Sequence, residues 1–117
     1  MLLEPARIWL YQLQRKFSFN ESRNGMIRSR LQVLYSGRVQ GVGFRYNTKK
    51  TALGYEVTGT VRNLEDGRVE LICEGSKEEL EAFQIGIRES GVRKFIRQEE
   101  ASWGTPTGEF RGFEITG

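Results

Sequence analysis

The chain has 117 residues, a formal net charge of +3, 38% hydrophobic and 28% charged residues, proportions that suit one folded domain with a modest core. It has no histidine, one aspartate (Asp66) and one cysteine (Cys73). Imidazole acid–base catalysis and an internal disulfide are therefore excluded, and the commonest zinc sites and aspartyl-phosphate chemistry have little to work with.

Residues 1–30 hold six cations and two anions, so the remaining 87 residues carry a net −1. The positive excess sits in the leader, and the body shows no basic footprint of the kind that binds nucleic acid. No apolar run approaches the roughly 20 residues needed to cross a bilayer. Within the leader, Trp9, Leu13 and Phe17 recur at helical spacing before "SFNESRNG" interrupts them. Residues 1–30 are expected to be an N-terminal extension, either flexible or a short helix, with upstream sequence ahead of Met26 and a targeting peptide as the other readings.

From Leu31 the pattern becomes regular. "LQVLYSGRV" alternates Leu31, Val33 and Tyr35 with polar residues and predicts a strand. After the glycine-rich loop, Gly43 to Leu53 predicts a helix that stops at Gly54. "YEVTGTVRN" and "RVELICEG" predict two further strands, the first facing Val57, Gly59 and Val61 inward, the second Val69, Leu71 and Cys73 with Glu70 and Glu74 opposite. Asp66-Gly67 between them is a hairpin signal, because that turn needs positive φ. Ser76 and Glu79 have capping-box spacing ahead of a helix that buries Leu80, Phe83 and Ile87 and closes at Gly91. "VRKFIRQEEASW" predicts a fourth strand, "GTPTG" a turn, and "EFRGFEIT" a last strand with Phe113 and Ile115 on one side.

The order β-α-β-β-α-β plus a terminal strand predicts an α+β, ferredoxin-like two-layer sandwich: an antiparallel sheet with both helices on one face. In that arrangement "SGRVQGVGFR" leads from a strand to a helix N-terminus, where unpaired N–H groups and the helix dipole favour an anion. Gly37, Gly41 and Gly43 permit a nest of amides, and Arg45 in the first helical turn can fork onto two oxygens of a phosphate, sulfate or carboxylate. The loop lacks the third glycine of a dinucleotide fingerprint and the Gly-Lys-Ser/Thr of a nucleotide P-loop. Glu79, not arginine, stands six residues after Cys73, which excludes a cysteine-phosphatase loop.

"GRVQGVGFR", "GTVRNLEDGRVEL" and "FRGFEIT" together closely resemble the acylphosphatase family over about residues 31–117. The resemblance implies the ferredoxin-like fold and hydrolysis of an acyl phosphate to a carboxylate and inorganic phosphate, with no metal or other cofactor. It makes Arg45 the phosphate-binding arginine and Asn63 the residue that positions the attacking water. The main chain of Val39, Gln40, Gly41, Val42, Gly43 and Phe44 would complete the phosphate cradle. The enzyme so implied is a cytoplasmic monomer acting on a small molecule, without a nucleic-acid or membrane partner.

The rival reading is a ferredoxin-like module that binds an anion or nucleic acid without catalysis. RNA-binding sheets of this fold display aromatics for stacking, and here Tyr35 is the one strand residue offered for it. A second rival places the domain within a larger carbamoyl-transfer protein. For other residues the expectation is plain: Cys73 in the core, Lys49 and Lys50 on the helix surface, Trp103 packed or snorkelling, and Arg38 either flanking the cradle or facing water.

Overall fold

A computed structural model describes residues 27–117; the predicted elements of residues 1–26 lie outside them. The first strand, β1 (Arg28–Gly37), starts three residues inside the stretch assigned to the extension. It is followed by α1 (Phe44–Ala52), β2 (Thr58–Asn63), β3 (Val69–Ser76) and α2 (Lys77–Ile87), then by β4 (Ile96–Gly104) and β5 (Phe113–Thr116). The sheet order is β4-β1-β3-β2-β5. β1 runs antiparallel to β3 and β4, and β3 antiparallel to β2. The added strand departs from the antiparallel expectation: β5 joins β2 in parallel, pairing Ile115 with Val61.

The period of two decides which face is buried. Leu31, Val33 and Tyr35 of β1, Val61 of β2, and Val69, Leu71 and Cys73 of β3 are all fully buried in one core. Phe44 and Ala52 of α1 and Leu80, Phe83 and Ile87 of α2 join the same cluster, so both helices lie on that face. Burying a side chain such as Leu80 or Phe83 stabilises the fold by about 1.5–3 kcal/mol.

Each helix has a local cause. Ser76 Oγ accepts from the Glu79 N–H at 3.2 Å, as the capping-box spacing predicts, and the Glu79 carboxylate also takes the N–H of Glu56. α1 has no side-chain cap; Gly43 supplies a left-handed N-cap, and Lys49 and Lys50 complement the dipole in its last turn. Past α2 the chain continues through a wide turn (Arg88–Val92), bends at Gly91 (φ 100°) and makes a short 3-10 turn (Arg93–Phe95). The fourth strand therefore starts four residues later than the apolar pattern suggests, because Val92 is spent on covering the core and not on a ladder.

The face of the sheet away from the helices is partly covered. Glu70 and Glu74 alternate with the core residues of β3, yet both are buried. Glu74 is roofed by the segment after β4: it accepts from the N–H of Thr107 (2.8 Å) and of Gly108 (2.9 Å), while Arg30 Nη1 lies 2.6 Å from it. Glu70 is held by Gln32 and Arg62. Burial alone would push the Glu74 carboxyl up, but the two amides and Arg30 outweigh it and hold it below its usual value.

A carboxyl whose folded-state pKa lies below its unfolded value stabilises the fold above the unfolded value. That contribution is lost as pH falls through the folded one. Glu74→Gln should cost about 2 kcal/mol near neutrality, since charged hydrogen bonds are lost and the new amide opposes a main-chain donor. The gap in melting temperature between parent and variant should shrink on acidification from about pH 5 towards about pH 3. Thermal unfolding followed by circular dichroism across that range measures both effects.

Candidate active site

The loop between β1 and α1 is held at both ends by its own apolar residues. Val39 and Phe44 are each 1% exposed, and the Phe44 ring packs against Tyr35 with centroids 4.9 Å apart. Arg38 donates its N–H to the Phe95 carbonyl at 2.9 Å, tying the loop's start to the chain before β4. The stretch between these anchors is pushed outward: Gly41, Val42 and Gly43 are exposed. Gly41 (φ 78°) and Gly43 (φ 80°) both have left-handed backbone, yet a Cβ on either would meet no atom within 4 Å. Glycine is therefore needed there for its conformation, not for space.

Gln40 ties the loop sideways. Its Nε2 donates to the carbonyls of Leu64 (2.8 Å) and Arg68 (2.9 Å), at the base of the β2–β3 hairpin. Asn63 ends β2 immediately before that base. The hairpin itself closes as Asp66-Gly67 predicts, with Gly67 at φ 97° and Asp66 paired to Arg68 at 2.8 Å. The Arg68 hydrogen bonds hold the Asp66 carboxyl below its usual value.

Between loop, helix and sheet lies a cavity of about 160 Å³, lined by Val39, Gly41, Gly43, Phe44, Arg45, Tyr46, Asn63 and Ile115. Arg45 and Asn63 thus share one cavity. Arg45, in the first turn of α1, makes no hydrogen bond or ion pair among the described residues, so its fork is uncommitted. The Oδ1 of Asn63 is a buried acceptor without a hydrogen-bond partner. A buried carboxamide oxygen without a partner is costly to leave dry, and the cavity it shares with an uncommitted guanidinium can admit water and an anion.

The other expected loop residues divide by role. Val39 and Phe44 line the cavity while their side chains belong to the core, and Gln40 lies outside the cavity lining with its side chain spent on the hairpin. Val42 does not line the cavity; its side chain is 37% exposed at the loop tip. Arg38 is exposed and lies outside the cavity lining. Lys49 and Lys50 are exposed on α1, with Lys49 Nζ 3.8 Å from Glu114. Trp103 is 44% exposed beneath the Lys77 ammonium. Two lining residues, Tyr46 and Ile115, and the tethering side chain of Gln40 carried no sequence signal for a site, since an apolar residue on a terminal strand or a glutamine in a loop is ordinary.

Two chemistries expected to be absent can be judged by position. Cys73 is fully buried, and desolvation, then the neighbouring Glu74 charge, pushes its thiol up to about 12, so it is no nucleophile. Tyr35 faces the helices and is fully buried, so the sheet's open face cannot use it for base stacking. Among the described residues no group of three or more metal-ligating side chains gathers to hold an ion, and no helix is long and apolar enough to cross a membrane.

A strand, a glycine loop and an arginine at a helix start lie together on an α+β, ferredoxin-like sandwich. The family model for acylphosphatase matches residues 31–115. The chain is 50% identical over 86 residues to the acylphosphatase of Syntrophotalea carbinolica, covering 74% of this chain and 94% of that protein. Its fold is similar to the crystal structure of acylphosphatase from Bacillus subtilis, with a TM-score of 0.69 at 28% identity over 75% of this chain and 98% of that one. It also resembles part of full-length HypF, solved in a phosphate- and nucleotide-bound form: TM-score 0.64 and 25% identity, over 80% of this chain and 12% of that one. The chain belongs to the acylphosphatase family.

The Gln40 tether generates a test. Gln40→Ala removes two hydrogen bonds to carbonyls and should lower stability by about 1–2 kcal/mol. It should also weaken protection by inorganic phosphate, because the loop then loses its hold on the strand that carries Asn63. Thermal denaturation with and without phosphate reads both; a variant that keeps the full phosphate protection would remove the tether from the site.

Proposed function

We propose that this chain is an acylphosphatase that hydrolyses the carboxyl–phosphate bond of small acyl phosphates, with Arg45 and Asn63 as its catalytic residues. The observation that carries the assignment of residues is the uncommitted Arg45 guanidinium and the orphaned Asn63 Oδ1 in the lining of one cavity. The phosphoryl oxygens sit against the main chain of Val39 to Phe44 and the fork of Arg45. A water molecule donates one hydrogen bond to Asn63 Oδ1, which aims its lone pair at phosphorus.

The chemistry needs little beyond this. As the water oxygen bonds to phosphorus, the bond from phosphorus to the carboxyl oxygen breaks, and its electron pair leaves on the carboxylate. That group is a weak base and requires no acid to protonate it, which fits a chain without histidine. The charge spread over the phosphoryl oxygens is stabilised by preorganised amides and Arg45, so catalysis is mainly positioning and electrostatics. Asn63 is a poor base; the water's proton passes to a phosphoryl oxygen of the substrate. No cofactor enters these steps. The reading also includes a monomer working in the cytoplasm.

Hydrolysis of benzoyl phosphate in the presence of a chelator tests the activity. Arg45→Ala should lower kcat/KM roughly 100-fold or more, as loss of an oxyanion donor does, and Arg45→Lys should stay poor because a point charge replaces the fork. Asn63→Ala should cut kcat at least about tenfold, roughly 1.4 kcal/mol of barrier, with the fold retained by circular dichroism. Variants that match the parent would overturn the assignment.

A further inference from the structure

The near-neutral charge of residues 31–117 conceals a local excess at one corner of the sheet. A second cavity, of about 530 Å³, lies between the end of α2 and the outermost strand β4. Its charged lining is Arg88 and Arg93, from the turns after α2, with Arg97 and Glu99 of β4. It shares no residue with the cavity of Arg45 and Asn63. We propose that this groove is a second anion site, and that its ligand is a small polyphosphate, a chain of linked phosphate groups.

The fold gathers the three arginines from separate segments. Glu99 pairs with Tyr35 and Ala101 with Val33, both fully buried on the helix-facing side of the sheet. Glu99 and Ala101 therefore stand on the side of β4 that faces α2. The bend at Gly91 (φ 100°) and the 3-10 turn Arg93–Phe95 return the chain from helix to sheet and deliver Arg93 to the same groove. Arg97 joins it at the start of β4, where the register with β1 shifts.

Three guanidinium groups against one carboxylate leave the groove with a net +2. Glu99 is already engaged, accepting from Arg88 Nε at 2.9 Å and from Gln84 Nε2 at 3.2 Å. Arg93 and Arg97 are exposed and make no hydrogen bond or ion pair among the described residues. α2 ends here, and the negative end of its dipole, worth about half a charge, opposes an anion. Two whole uncommitted cations outweigh it.

Size and spread decide the class of anion. Ligand cavities run from about 300 to 1,000 Å³, and a lone phosphate would leave most of this one to water. A guanidinium fork binds phosphate oxygens two at a time, so arginines carried on three segments call for oxygens on more than one group. No aromatic side chain lines the groove to stack a base, so the phosphates themselves are what it recognises.

Calorimetric titration of the full chain with sodium tripolyphosphate, chelator present, tests the groove apart from the first cavity. In Arg45→Ala, which removes the cation of that cavity, one equivalent should still bind. Adding Arg93→Gln and Arg97→Gln should weaken this binding at least about tenfold, and orthophosphate should bind Arg45→Ala at least about tenfold more weakly than tripolyphosphate does. Adenosine triphosphate should match tripolyphosphate. With Arg45 kept, the Arg93→Gln, Arg97→Gln variant should retain the parent's circular dichroism and its rate on benzoyl phosphate. Tripolyphosphate binding that Arg45→Ala abolishes, or that survives unchanged without Arg93 and Arg97, overturns the second site. A rate lowered by the loss of those two arginines overturns it as well, by placing them in the first cavity. Equal affinity for orthophosphate, or a tenfold preference for the nucleotide, overturns polyphosphate as the ligand.

Discussion

The burial of two apolar side chains, Val39 and Phe44, holds the loop between β1 and α1 in place. They flank the exposed segment of Gly41, Val42 and Gly43, and both belong to the same core as β1, β3 and α2. With its two ends fixed in close-packed surroundings, the short segment between them has few conformations left. The left-handed backbone of Gly41 and Gly43 turns the segment between the two anchors. A loop ordered in this way during folding would lose little further freedom on binding an anion.

The same anchoring brings Arg45 and Asn63 to one cavity. The ties are three: the loop to the core, the loop to the hairpin through Gln40, and β2 to both neighbours in the sheet. Charged partners that would compete for Arg45 are kept elsewhere. Glu70 and Glu74 face the opposite side of the sheet and are engaged by Arg62 and Arg30, and Glu99 is taken by Arg88. An arginine that was already paired would have to break that pair before it could bind a substrate phosphate.

β5 is the element that turns a common sandwich into this particular site. The four strands β4-β1-β3-β2 and two helices are an arrangement shared by proteins of unrelated function. The likeness to part of the much longer HypF chain shows that the domain is also found within larger architectures. What is local to this cavity is the parallel edge strand, which brings Ile115 to the Asn63 side of β2 and encloses a space that would otherwise open to solvent.

Much of this was legible in the sequence. The alternation in β1, β2 and β3 has the period of a half-buried strand, and the Leu80, Phe83 and Ile87 stripe has the period of a helix, so local patterning determined the element order and the buried face. The glycine loop and Arg45 suggested an anion, and the resemblance of "GRVQGVGFR" and "GTVRN" to the acylphosphatase family pointed to Arg45 and Asn63 together. Tertiary structure alone decided the rest. Glu74 is buried because residues 105–109, distant in sequence, fold back over it. The direction of β5, the double tether of Gln40 and the presence of Tyr46 and Ile115 in the lining of one cavity all depend on long-range placement. Periodicity describes what a residue's own element does with it; it holds no record of which other element arrives opposite.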